Sequence, residues 1–388
     1  MTQNSLSQFM GGSTVRRTNV SLSIAGTDVT QHLASDLISF EHSDDTERNA
    51  DTITIRLSDA EHKYLLEWTI DKGTEIVAKI QTHNWNKPGE TLGVECGSFY
   101  VDRLEYSTSP SIVTIKATSL PVSGSFKGVV KNKGWENQTL KQIAEQIAKE
   151  SGLKLDYRAK DNPKMARCDQ DYESDGRLLL RLATYAGLCV KVQKKTLIIF
   201  DEEELDKQEP WATLTRDVTP IKSWRLTTSS NHTVRGVRSS YMNPDTGKVT
   251  DHTFVPSKPP EAVTGIDQIN TRPLDIPAKL ELHMTDNFAP QDLPPGWDKY
   301  TWNFKDSEEP AKKRARRHCR RRNRAEWEID MTLPGSVMWV AGTVVKFDET
   351  WGPKFGDSNY LIRRVVHKVD RSSGYECHLS LRKVLKGY

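Results

Sequence analysis

Two stretches of period-two alternation flank one stretch of helical period, and that order narrows the folds open to this chain more than any other feature. In the first stretch, from 14 to about 119, Val20, Leu22 and Ile24 alternate with polar residues into the turn Ala25-Gly26-Thr27. Ile53, Ile55 and Leu57 repeat the pattern, and Ile76, Ala78 and Ile80 follow Gly73. Residues 99–106 and 112–117 add further strands, and only 60–68 reads as a helical turn. Several short strands at this spacing predict a small antiparallel barrel or sandwich.

The period changes at Trp135. Thr139 and Gln142 have the spacing of a capping box, and Leu140, Ile143, Ala144, Ile147 and Ala148 share one helical face that ends at Gly152. A second helix is predicted from a Ser174 cap through Leu179, Leu182 and Ala183 to Gly187, followed by a hairpin over 188–192 and 196–200. The acidic residues Asp201 to Glu204 and Asp206 read as a solvated linker. Strands return at 221–227 and at 233–241, the latter ending in the turn 243–247. Residues 255–310 are proline-rich and aperiodic, which marks an irregular insert. The chain is β again from 327 to 385, closing on the alternation Tyr375, Cys377, Leu379, Leu381.

The expected organisation is a flexible arm (1–13), a first β-barrel (14–122), a small α/β domain (123–206) and a second β-barrel (207–254 with 311–388), the last interrupted by the 255–310 insert. The fold class is mainly β with an α+β component, and 388 residues suffice for such a division. Residues 1–13 lack the basic-then-apolar order of a secretory signal, and no run is apolar enough to span a bilayer. Five widely spread cysteines argue for reduced thiols and folding in the cytosol.

The two β regions share an internal pattern. Gly73-Thr74 opens a strand containing Ile76, Trp85 and Pro88 lie in the next loop, and Phe99-x-Val101-x-Arg103-Leu104 follows. Gly342-Thr343 opens a strand containing Val345, Trp351 and Pro353 lie in the next loop, and Tyr360-x-Ile362-x-Arg364-Val365 follows. This order predicts a duplication in which Arg103 and Arg364 occupy matching places. Strict period two would put Val101 and Arg103 on one face and Tyr100, Asp102 and Leu104 on the other.

Charge is segregated. The net charge is only +3, yet residues 312–324 carry nine Lys/Arg and no acid. Removing those nine from 55 basic residues leaves 46 against 52 acids. On a helix, Lys312, Arg316, Arg320 and Arg324 share one face, beside an apolar stripe of Ala311, Ala315 and Cys319. Such a face suits an acidic protein partner; a nucleic-acid-binding accessory role is the alternative, and the run lacks stacking aromatics. Arg103, Arg364 and these four basic residues are the candidate interface residues. The pairs His318-Cys319 and Cys377-His378 lack the spacing of a metal site, and Cys377 falls in register with the core positions. No G-x-S-x-G, H-E-x-x-H or P-loop is present, so the expectation is a structural protein without cofactor or metal, not an enzyme. The helical unit also has the size of a cell-wall-binding module, but its Ile143/Ile147 stripe reads as core.

In Trp135-Glu136-Asn137-Gln138-Thr139-Leu140, Ile143-Ala144, Ile147-Ala148, Gly152-Leu153, Gln170, Glu173-Ser174-Asp175, Leu179 to Ala183, Tyr185 and Gly187, the chain resembles the late control D proteins, the baseplate hubs of contractile-tailed phages. It is also similar to the N-terminal hub module of type VI secretion spike proteins. Leu333-Pro334-Gly335, Ala341-Gly342-Thr343, Tyr360 and His367 extend the match. The helix after Pro310 is more basic than the family pattern, and 255–310 has no counterpart in it. The resemblance implies two β-barrels around the small α/β domain, assembled as a trimeric ring. It implies a virion protein of the tail baseplate, made in the host bacterial cytoplasm. Its partners would be copies of itself, a hexameric tail tube protein, a trimeric central spike and other baseplate components, with no membrane and no specific nucleic acid.

Overall fold

The computed structural model describes residues 15–46, 50–120, 126–230, 233–242, 249–258 and 309–388, with the side chains of 166, 238–253, 309–312 and 314 left aside. The arm and nearly all of the proline-rich insert lie outside the described residues.

The first β region runs β1 (Arg17–Ile24), β2 (Thr27–Asp28), α1 (Thr30–Leu33), β3 (Leu37–Asp45), β4 (Thr52–Ser58), α2 (Lys63–Leu66), β5 (Glu75–His83), β6 (Thr91–Ser107) and β7 (Ile112–Thr118). The central unit follows with β8 (Val130–Thr139), α3 (Leu140–Glu150), β9 (Lys154–Tyr157), β10 (Lys164–Ser174), α4 (Asp175–Ala186), β11 (Cys189–Gln193), β12 (Thr196–Phe200) and α5 (Glu202–Asp206). The last region holds β13 (Ala212–Leu214), β14 (Ser223–Thr228), β15 (Val237–Met242), β16 (Val249–Phe254), α6 (Glu309–Asn323), β17 (Trp327–Pro334), β18 (Val344–Phe347), β19 (Ser358–Asp370) and β20 (Gly374–Lys383).

The alternating strands of both outer regions join one thirteen-stranded sheet over a single shared core. Its order is β14-β17-β20-β19-β3-β4-β7-β6-β5-β1-β2, with β18 paired to β19 and β13 to β18. All of these pairings are antiparallel except β13 with β18. Strands β15 (237–242) and β16 (249–254), assigned from sequence to the second β region, pair with each other and, among the described residues, stand apart from the large sheet. The reason is a local core of its own: Val234 and Val237 bury against Ala315 and Cys319 of α6. Ala315 and Cys319 of the apolar stripe read on that helix are therefore the floor under a hairpin.

The central unit has a second core. Thr139 and Gln142 make both bonds of the capping box, and Ile143 and Ile147 are fully buried. Their stripe is thus packed inward, as its helical spacing required. Ser174 accepts from the Arg177 N–H, and Gly187 ends α4 at φ 67. That glycine has a second reason: a Cβ there would lie 2.0 Å from the Arg317 side chain of α6. The parallel pairing of β12 with β9 turns the predicted hairpin into a three-stranded sheet.

Candidate functional site

The shared pattern in the two β regions becomes a shared hydrogen-bonding register. Phe99 pairs with Ile76 and Tyr360 with Val345. The Gly73 N–H donates to the Val101 carbonyl at 2.7 Å, and the Gly342 N–H to the Ile362 carbonyl at 2.8 Å. The reciprocal bonds, Val101 N–H to Thr74 O and Ile362 N–H to Thr343 O, match as well. Both glycines take positive φ, 85° and 89°, which explains why the strand opens on the same residue twice. Outward from this pair the blocks agree strand by strand. Ala117 sits between Val101 and Ile53, as Leu381 sits between Ile362 and Ile329. The order β3-β4-β7-β6-β5 is repeated as β14-β17-β20-β19-β18.

Each block carries a β-bulge at one matching place, between Val101 and Arg103 and between Ile362 and Arg364. The extra residue changes which side chains face the core. Val101 and Leu104 pair with Ala117 and Ile115, both core residues, whereas Arg103 pairs with exposed Lys116. Strict alternation, which put Val101 with Arg103 and opposite to Leu104, is corrected by that bulge. Arg103 and Arg364 both point outward: Arg103 is 2.7 Å from Glu105, and Arg364 Nε donates to Ser43 Oγ at 2.8 Å.

The basic helix meets its acidic partner within the same chain. Arg316 lies 2.5 Å from Glu203, Arg320 is 2.5 Å from Asp206, and Arg324 is 3.1 Å from Glu202. Buried Arg382 of β20 joins the array at 2.6 Å from Glu202 and 2.9 Å from Asp206. Arg317 donates to the Ala186 carbonyl at the end of α4 and to Asp161. A guanidinium at a helix C-terminus complements the dipole there. The acidic residues read as a solvated linker are therefore a correction: they form α5, with Asp206 buried between two arginines. Sequence spacing gave the basic face of α6 but not its target, because the two elements are more than a hundred residues apart. Lys312 lies on the α6 backbone, and its side chain is outside the described residues.

A third polar cluster, invisible to pattern, ties the central unit to the sheet. Lys191 of β11 reaches Asp44 of β3 and lies 3.1 Å from Asp51. Burial alone would lower the Lys191 pKa, but the two carboxylates outweigh it and hold the amine above its ordinary value. Burial pushes the Asp51 carboxyl above the usual carboxylate range against the pull of Lys191, with the Asp44 charge acting in the same direction as burial. His42 stacks on His367 at 5.9 Å, and burial pulls the two rings down to about 3 and about 4. Cys377 is buried in the sheet core, with Sγ 3.3 Å from His367 Nδ1. No group of three or more metal-ligating side chains occurs among the described residues. No helix among them is long and apolar enough to cross a membrane.

Comparison with known proteins places these features. A family model described as phage tail baseplate hub (GPD) matches residues 126–373. A probable baseplate hub protein of Escherichia phage 186 is 29% identical over 203 residues, 50% of this chain and 49% of that one. The chain thus spans about half the length of this curated relative. The 43 kDa tail protein of prophage MuSo2 from Shewanella oneidensis has a similar fold, with a TM-score of 0.62 at 17% identity over 94% of this chain and 98% of that one. A component of the type VI secretion system of E. coli aligns with a TM-score of 0.51 at 13% identity, over 96% and 78% of the two chains.

Proposed function

The chain belongs to the phage tail baseplate hub family, and on that premise we propose that it forms a homotrimeric ring joining the tail tube to the central spike. In this reading each β block is one small barrel, and the central α/β unit sits beside the pair. The observation that carries it is the matched register of the two blocks, down to the bulges before Arg103 and Arg364. Three copies of a chain with two such blocks present six similar units around one axis. Such a ring suits a hexameric tube on one side and a trimeric spike on the other. The six outward arginines, two per chain, would orient an acidic partner more than bind it tightly. Fold alone does not set function, so the proposal rests on this repeat together with family membership. The site is the virion tail baseplate, with other baseplate components as further partners.

The basic face of α6 offers little to nucleic acid, since Arg316, Arg320 and Arg324 are engaged by α5. The test is cryo-electron microscopy of the intact particle. Threefold density for this chain between the tube end and the spike is the expected result. Density for it elsewhere in the tail, or with another symmetry, would overturn the proposal.

A further inference from the structure

Among the described residues the two β blocks of one chain are joined by a single strand junction. Residues 39–45 of β3 lie antiparallel along residues 364–370 of β19, with Val365 opposite Asp44, Val366 opposite Ser43 and His367 opposite His42. One face of that junction is buried: Phe40, His42, Val365 and His367 are each at most 3% exposed.

The block equivalence puts β14 in the place of β3 and residues 103–107 of β6 in the place of 364–368. The anchor is the shared pairing on the next strand. Phe40 pairs with Ile55 and Trp224 with Met331, while Ile55 and Met331 pair with Ile115 and Leu379. Trp224 therefore corresponds to Phe40, Leu226 to His42, Leu104 to Val365 and Tyr106 to His367. Yet among the described residues no strand pairs with the outer edge of β14, and none pairs with 103–107 on the side away from β7. Trp224 is 48% exposed and Tyr106 43%, where their counterparts are buried. The chain thus has one filled junction and the two separate halves of a second. An open strand edge bearing large apolar side chains is a template for another strand.

We infer that the open edge of β14 is completed by residues 103–107 of β6 from a second copy of the chain. The inference rests on the ring proposed above for the number of copies. The filled junction sets the register: Leu104 opposite Thr228, Glu105 opposite Thr227, and Tyr106 opposite Leu226. Because each chain offers one half at each end, the contact is head-to-tail and closes only as a ring. The sheet then runs on from chain to chain, and the junctions within and between chains alternate around the axis.

The geometry supplies its own probe. Thr46 N–H donates to Arg363 O, and Arg371 N–H to Ile38 O. By antiparallel alternation, Ser43 and Val366 are then a non-hydrogen-bonded pair, the kind with close side chains. Glu105 and Thr227 inherit that geometry, within reach of a disulfide. The five native cysteines are buried and do not compete. The test is the full chain carrying Glu105→Cys with Thr227→Cys, mildly oxidised, run on a denaturing gel without reductant and sized by light scattering. Covalent dimers and trimers are expected from the double variant. They should be lost in either single variant, and in Glu105→Cys with Arg225→Cys, which is two residues out of register. A trimeric mass without crosslinks would overturn the junction and leave the ring reading standing. A monomeric mass without crosslinks would overturn both. A disulfide confined to one chain, or crosslinks that appear only after deletion of residues 1–13, would also overturn the inference, the second by giving the edge to the arm.

Discussion

His42 lies at the meeting of the two β blocks, 3% exposed, and neither ring nitrogen has a hydrogen-bond partner among the described residues. Its neighbours are Phe99, His367, Asp44 and Lys191. Burial lowers its pKa from 6.5 to about 3, so the folded chain refuses a proton that the unfolded chain accepts below pH 6.5. The stability this group supports is complete above pH 6.5 and is lost as pH falls, by about 1.4 kcal/mol per unit. The other block holds Leu226 at the corresponding place. His42→Leu should therefore gain on the parent by about 2 kcal/mol between pH 7.5 and pH 5, read from urea unfolding at the two pH values. An equal acid loss in variant and parent would place the sensitivity elsewhere. At this scale the apolar positions were legible: Ile143, Ile147, Cys377 and Leu379 are buried as their spacing required. His42, Asp44, Asp51 and Lys191 were not, because polar residues at core positions break the alternation on which such reading depends.

The same limit acts on elements. Strand β3 has no clean pattern in sequence, since three of its buried positions are Ser39, His42 and Asp44, yet it joins the two halves of the sheet. Strands β8 and β10 pair over most of their length with mainly polar residues and left no period to find. Helices α3 and α4 were legible to their caps, because capping chemistry is local. The docking of α6 on α5 was not, although both charge runs stood out. That contact makes a firm prediction. Asp206→Ala would leave Arg320 and Arg382 buried with less compensation, at a cost of about 3–5 kcal/mol in denaturant unfolding. A change within experimental error would mean that Glu202 and Glu203 carry the array alone.

At the scale of the whole molecule, the duplication read from Gly-Thr, Trp and aromatic-x-aliphatic-x-Arg reappears as two blocks with one register. Their fusion into a single sheet and core was not legible, because it depends on β3 and β19, which lie more than three hundred residues apart. A chain with two equivalent blocks and, among the described residues, one unfilled junction has a simple way to become symmetric, which is to close on copies of itself. The most direct measurement of that claim is electron microscopy of the purified full chain, classified without imposed symmetry. The account predicts closed rings of three chains with six similar lobes around a central channel. Monomers, twofold dimers or open filaments would contradict it.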